Sequence, residues 1–305
     1  MRVERLELSA ESSQSIVHGT DGTQGMHRTL IKVLRLMGVR PMYLVMGIFV
    51  VPFYFVLHRQ AFMAIWHYMR QRQGFGRWKS LRMAYLNHYR FGQVVLDRFA
   101  MYAGIKFQLD RVNNELFTEL SNDDEGFVIL SCHVGCYEMA GYTFTATKKP
   151  YNALVYGGET QSVMENRRRL FTMHNIRMIP TSDDMSHIFE MNNALANGEI
   201  VSIPADRIYG SPRTVECQLL GAKANLPLGP FTLATQRDAK TIAIFVMKES
   251  AYRYTVYIRS VQADPQLKRN ERTAALAQAF ATEMETILRK YPEQWYNYYE
   301  FWGES

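Results

Sequence analysis

Residues 127–142 read FVILSCHVGCYEMAGY. The first six, FVILSC, open on four consecutive apolar residues and read as a strand buried on both faces. The rest has the amphipathic spacing of a helix. Where the two meet lie Cys132, His133, Cys136 and Glu138. In open α/β sheets, ligands bind just beyond the carboxyl ends of the strands. The order strand, polar cluster, helix therefore sets both the fold and the place to look for chemistry.

Working outward, strand-like and helix-like segments alternate. Strands are expected at 152–157, 176–180 and 199–204. Helices are expected at 134–144, 162–175, 185–198 and 230–239, the third closed by Gly198 as a C-terminal cap. Strands at 241–247 and 252–261 and a long helix at about 267–291 follow. This alternation predicts an α/β fold with a mostly parallel central sheet flanked by helices. Upstream the texture is different. Residues 1–25 are polar and read as a flexible arm. Residues 26–115 read as a basic, helical, membrane-associated segment, with a break between helices at Gly74 and Gly76. Residues 116–305 form the α/β catalytic domain.

The net charge of +6 is unevenly spread. Residues 26–100 carry twelve lysines and arginines against one acid, Asp97. Within this block, residues 41–57, PMYLVMGIFVVPFYFVL, contain no charge, and Arg35, Arg40 and Arg59 flank them. Seventeen residues is the lower edge of a spanning length of about 20, and Pro52 is expected to kink the helix. The alternatives are a buried core helix and a helix in or on a membrane. Basic flanks and the aromatics Phe62, Trp66, Tyr68 and Trp78 favour the membrane. The chain carries no nucleic-acid signature. Three cysteines are too few for a disulfide framework and suit a reducing compartment. The first residues have no apolar core of a signal peptide.

His133 and Glu138 are five apart, a spacing that chance alone supplies in a chain of this size. Their position after a strand is what singles them out. Residues five apart on one helix point about 140° from each other. A facing pair therefore needs His133 in the loop and Glu138 in the first turns of the helix. There Glu138 would hold one imidazole nitrogen and leave the other as a general base. Against this stands a buried, hydrogen-bonded histidine. Cys136 with His133 as a thiol nucleophile lacks an orienting third group, and small thiols packing the junction are the plainer reading. No spacing supports a metal site, so none is expected.

A second strand end, 199–204, runs into Asp206 and Arg207. Either the two pair to structure the loop, or the arginine, with Arg213 beside it, holds an anion. LPLGPF (226–231) places Gly229 at a helix start, whose free N–H groups suit an anion or oxyanion. NRRRL (166–170) is a basic face, either solvated or docking an acidic partner. The aromatic run PEQWYNYYEFW (292–302) reads as a packed cap with polar members lining a cleft.

These blocks together resemble the lysophospholipid acyltransferase superfamily, and most closely its bacterial lipid A biosynthesis acyltransferase branch. SCHVGCYEMA looks like that family's H-x4-D/E block, and a Pro-x-Gln-Trp segment often ends its members. The resemblance covers residues 26–302. It implies a membrane-associated enzyme that moves a fatty acyl group to a hydroxyl or amine of a lipid-like acceptor. The donor would be an acyl carrier protein or coenzyme A thioester, with no further cofactor. It implies His133 as general base and Glu138 as its partner, with Asp206 at the family's strand-end acidic position among the substrate contacts. Arg207 stands where the lipid A enzymes commonly have a second aspartate, which puts lipid A as acceptor in question. Arg169 and Arg177 are the candidates for an anion-contacting arginine. The implied location is the cytoplasmic face of a bacterial inner membrane. Two competing readings are a thiol hydrolase using Cys136 and His133, and a non-catalytic lipid-binding protein.

Overall fold

The computed structural model describes residues 23–136, 139, 149–182, 184–208 and 212–302. Phe127–Ser131 (β2) is a strand buried at every position. Its bulky, branched side chains fill both faces of a central strand, as the sequence predicts. Four further strands run parallel with it: Tyr151–Val155 (β3), Ile176–Pro180 (β4), Ile200–Pro204 (β5) and Lys240–Lys248 (β8). Gln108–Val112 (β1) and Arg253–Ser260 (β9) run opposite to them. The sheet order is β1-β9-β8-β2-β5-β3-β4. Thr214–Leu219 (β6) and Ala222–Pro227 (β7) form a separate antiparallel hairpin.

Helices cover both faces. Val128 and Leu130 of β2 point into one apolar cluster, with Phe231 of Leu228–Gln236 (α8) and Phe280 of Arg269–Lys290 (α9). Phe127 and Ile129 point into the other, with Phe117 of Asn114–Asn122 (α5) and Phe171 of Gln161–Met173 (α6). Ser186–Ala196 (α7) ends at Gly198, which takes the expected left-handed conformation.

The preceding block is helical: Gln24–Met37 (α1), Val39–Leu57 (α2), Arg59–His67 (α3) and Arg77–Tyr102 (α4). Ahead of Pro52, α2 carries a π-helical turn over Met46–Val50, in which the Val51 N–H donates to Met46 O. The wider turn absorbs the N–H that proline lacks. One stripe of α2 (Val39, Tyr43, Met46, Gly47, Val51) is buried. At Gly92 of α4 a Cβ would overlap Met46 Sδ, so a larger residue there would force the Met46 side chain to move. The opposite stripe, including Leu44, Ile48, Phe49, Phe53 and Val56, is exposed and wholly apolar. Of the aromatics expected at an interface, Trp78 is 80% exposed, whereas Tyr68 is buried and donates no face to solvent. Tyr68 instead packs edge-on against Trp295.

The helical block joins the sheet through a buried polar knot. Asp97 of α4 accepts from Tyr43 of α2, Lys248 at the end of β8, and Tyr254 of β9. Asp97 and Lys248 side chains are both fully inaccessible. Burial drives the Asp97 carboxyl above its usual range and the Lys248 amine below its own. Their mutual attraction pulls each back, and hydrogen bonds from the two phenols pull Asp97 back further. Removing one partner leaves an uncompensated buried charge. Lys248→Met should therefore lose about 3–5 kcal/mol of stability in denaturant unfolding. The double variant Asp97→Leu/Lys248→Met should recover much of that loss. A single variant as stable as the double would refute the knot as an ion pair.

Candidate active site

Beyond β2 and β5 the chain delivers two side chains to one spot by register. The strands are parallel neighbours with Ser131 opposite Pro204, and the Ala205 N–H donates to Ser131 O. Two residues further on each strand stand His133 and Asp206. His133 Nδ1 lies 2.8 Å from Asp206 Oδ1, and the His133 backbone N–H donates to Asp206 Oδ2 at 2.8 Å. A carboxylate only accepts, so Nδ1 carries the imidazole proton and Nε2 is the basic nitrogen. Asp206 is 2% exposed, and its imidazole partner 19%. Burial pushes the Asp206 carboxyl up; the charge and two hydrogen bonds of His133, with Arg207 beyond, outweigh it and hold it below the usual range.

The His133 loop is itself clamped. The Cys136 N–H donates to Val246 O of β8 at 2.8 Å, and the Gly135 N–H donates to Gln294 O at 2.7 Å. The Tyr296 N–H donates to His133 O at 3.0 Å. Gly135 has φ +69°, and a Cβ there would overlap Val246 O, so this close approach of three backbones requires glycine. Arg207 Nη2 donates to Tyr296 O at 2.8 Å. A circuit thus closes from Asp206 through His133 and Tyr296 to Arg207 and back along the chain.

The resemblance puts Asp206 among the substrate contacts and gives the orienting role to Glu138. In the structure both Asp206 oxygens are occupied by His133. Glu138 lies outside the described residues, as does most of the helix expected at 134–144; Val134 and Gly135 form isolated β-bridges and are not helical. Arg207 is tied to the 292–302 segment. Arg177 lies in the amino half of edge strand β4 and pairs with Glu190 at 3.0 Å, away from the carboxyl ends of the strands. Arg169 is exposed on α6. The buried arginine of that helix is Arg167, which with Arg98 of α4 approaches Glu159 at 3.5 and 3.9 Å. Spacing could have found it, since Val163, Arg167 and Phe171 form one buried stripe at i, i+4, i+8. Gly229 sits in the first turn of α8. That helix runs back to the start of β8, so its N-terminus is at the carboxyl end of the sheet.

The cysteines are packing residues here. Cys132, Cys136 and Cys217 are all buried and reduced. Burial, then the nearby Asp206 charge, raises the Cys132 thiol well above its usual range, and burial pushes Cys217 up to about 11. Among the described residues no three metal-ligating side chains converge.

The bacterial lipid A biosynthesis acyltransferase family matches residues 96–302, more than half of the chain. The chain belongs to that family. It is accordingly a lipid acyltransferase, as the resemblance implies. Among solved structures, the 1-acyl-sn-glycerophosphate (LPA) acyltransferase PlsC from Thermotoga maritima is similar at 11% identity, covering 85% of this chain and 95% of that one with a TM-score of 0.34. That likeness is too slight to bear on function. No curated protein matches the chain significantly.

Proposed function

We propose that this acyltransferase moves a fatty acyl group from an acyl carrier protein or coenzyme A thioester to a hydroxyl or amine of a lipid-like acceptor, with His133 as general base. The observation that carries the reading is the doubly bonded His133–Asp206 pair at the carboxyl end of the central strand. An acceptor hydroxyl is a weak nucleophile until its proton is removed as attack begins. His133 Nε2 takes that proton while the oxygen bonds to the thioester carbon. Collapse of the tetrahedral intermediate breaks the C–S bond, and the imidazolium returns the proton to the leaving thiolate. Asp206 keeps the proton on Nδ1 and steadies the imidazolium between the two steps. Glu138 stays in the proposed site on the resemblance of His133 and Glu138 to the family's H-x4-D/E block. The first-turn N–H groups around Gly229 are the candidate donors for the oxyanion. Exposed Arg168 and Arg169 on α6 offer an acidic carrier a basic face. Lipid mass spectrometry of cells with and without the protein tests the reaction. A single lipid class should gain one acyl group. No change in any class, with the protein expressed and folded, refutes the reading.

We further propose that α2 embeds in one leaflet, on the cytoplasmic face of a bacterial inner membrane. One side of the helix is held by α4 along its length, through Tyr43 to Asp97, through Gly47 O to the Tyr85 hydroxyl at 2.7 Å, and by Phe55 on His88 at 4.8 Å between ring centres. A helix bound in this way presents one apolar side to lipid instead of a full circumference. Phe49 and Phe53 are 68% and 64% exposed. Phe49→Asp/Phe53→Asp should weaken vesicle binding about 100-fold, since each lost burial is worth about 1.5 kcal/mol or more. Substitution is a cleaner test than deleting residues 1–57, because deletion removes Tyr43 from the Asp97 knot. Undiminished vesicle binding by the double variant would sink the proposal.

A further inference from the structure

The polypeptide that seats His133 comes from the far side of the fold. Residues 294–296 lie against 133–135 as a short antiparallel pair, with Val134 bridged to Trp295. Two hydrogen bonds flank that bridge, from Gly135 N–H to Gln294 O and from Tyr296 N–H to His133 O. What fixes this segment on the sheet is the Gln294 side chain. It is 1% exposed. The Lys248 N–H donates to Gln294 Oε1 at 2.8 Å, and Gln294 Nε2 donates to Lys248 O at 2.9 Å. One amide thus satisfies both backbone groups of the last residue of β8, as a neighbouring strand would. Asn87 of α4 steadies the same segment, donating to Trp295 O at 2.7 Å and Glu293 O at 3.2 Å.

A residue needed only to fill space here would be apolar, because burying an amide costs free energy unless every polar atom is paired. Glutamine instead sets one register and one angle between the 294–296 segment and β8. The His133 backbone hangs from that segment at its carbonyl, and from Asp206 at its N–H. We propose that Gln294 is a positioning residue for His133: its amide docks residues 294–296 on the end of β8, and they hold the imidazole on Asp206. The effect on rate rests on the acyl-transfer reading; the effect on the imidazole does not.

The test uses full-length protein in micelles, labelled with 15N only in histidine, with the His133 signals assigned by their loss in His133→Asn. Gln294→Leu keeps the volume and removes both hydrogen bonds. It should displace the His133 ring signals while most of the other histidines stay in place. It should lower kcat about 10–100-fold, the cost of a misplacement near 1 Å, with KM changed less than about threefold. Gln294→Glu separates positioning from general damage. A protonated carboxyl can make both Gln294 bonds, whereas a carboxylate faces Lys248 O with no donor. Its loss relative to wild type should therefore shrink as pH falls from about 9 to about 6, since burial favours the neutral acid. His133 signals unmoved in Gln294→Leu overturn the proposal. So does a Gln294→Glu variant equally impaired and equally shifted at every pH. If the signals move as expected but wild-type protein transfers no acyl group from any thioester, the positioning stands and the acyltransferase mechanism at His133 falls.

Discussion

His133→Ala should lower kcat for acyl transfer by about 10³- to 10⁴-fold, the upper range for loss of a positioned general base. KM should move little, because the imidazole works on the proton in flight. The fold should survive: the side chain is 19% exposed at the end of the sheet, and the backbone bonds of His133, from its N–H to Asp206 and from the Tyr296 N–H to its carbonyl, do not need the ring. The measurement is product formation by mass spectrometry alongside the melting temperature and vesicle binding of the same preparation. Wild-type rates in His133→Ala would remove the general-base mechanism altogether. A thiol mechanism would also need His133 but would fail in Cys136→Ser, so that variant separates the two. Cys136→Ser should leave the rate within about threefold, because the thiol is buried in the apolar layer beside Val246 and Tyr254.

Asp206→Asn should be nearly as damaging, lowering kcat about 10²- to 10³-fold. An aspartate accepts from two His133 donors at once, one on each oxygen. Asparagine has one acceptor oxygen. If that oxygen keeps the backbone N–H, the amide NH2 faces Nδ1 and drives the proton to Nε2, so the base is lost. If it keeps the ring, the backbone N–H is left facing a donor. Asp206→Ala should therefore be no worse than Asp206→Asn, which distinguishes a proton-placing carboxylate from a space-filling one. The carboxyl also leaves a thermodynamic mark. Its folded pKa lies below the unfolded value, so it contributes stability that is complete above the ordinary carboxylate pKa of about 3.9. That stability disappears as pH falls through the lower folded value. Acid titration of unfolding free energy should show this limb in wild type and lack it in Asp206→Asn. Identical acid limbs in the two proteins would show that His133 does not perturb the carboxyl.

The parallel strands were legible because a strand buried on both faces is an uninterrupted apolar run, as in β2 and β8. Two elements escaped for the complementary reason. β1, QLDRV, is an edge strand whose side chains are partly or largely exposed, so it carries no apolar run. The β6–β7 hairpin looks like loop because its buried residues, Cys217, Leu219, Ala224 and Leu226, alternate with Glu216, Gln218, Lys223 and Asn225. Its turn is Leu220–Gly221, both at positive φ, an unusual place for leucine. Burial of Leu220 offsets that conformational cost. Period-two counting across 214–227 would have found it. The site was half legible. Position after β2 picked out His133, but its partnership with Asp206 depends on which strands are neighbours. Nothing local tells that β5, 73 residues downstream, lies beside β2. The helical phase of α6 points inward at Arg167, whereas the resemblance offers Arg169, which is exposed.

The clamp on His133 also bears on the order in which the molecule matures. Parallel strands β2, β5 and β8 can pair and bury their apolar faces before residues 294–296 arrive. The last tie is among the longest in sequence: the Asn87 amide to Trp295 O spans 208 positions. Contacts so distant close late, because their loop entropy must be met before they return anything. A folding chain therefore acquires its sheet before its catalytic geometry. Opening of the same segment without the sheet would bring Trp295, 1% exposed, into water, so it should cost more than fraying of a terminus and less than unfolding β2. Amide exchange should then report two populations: slow protons along β2 and β8, and a faster group at Gly135 and Tyr296 that opens as one unit.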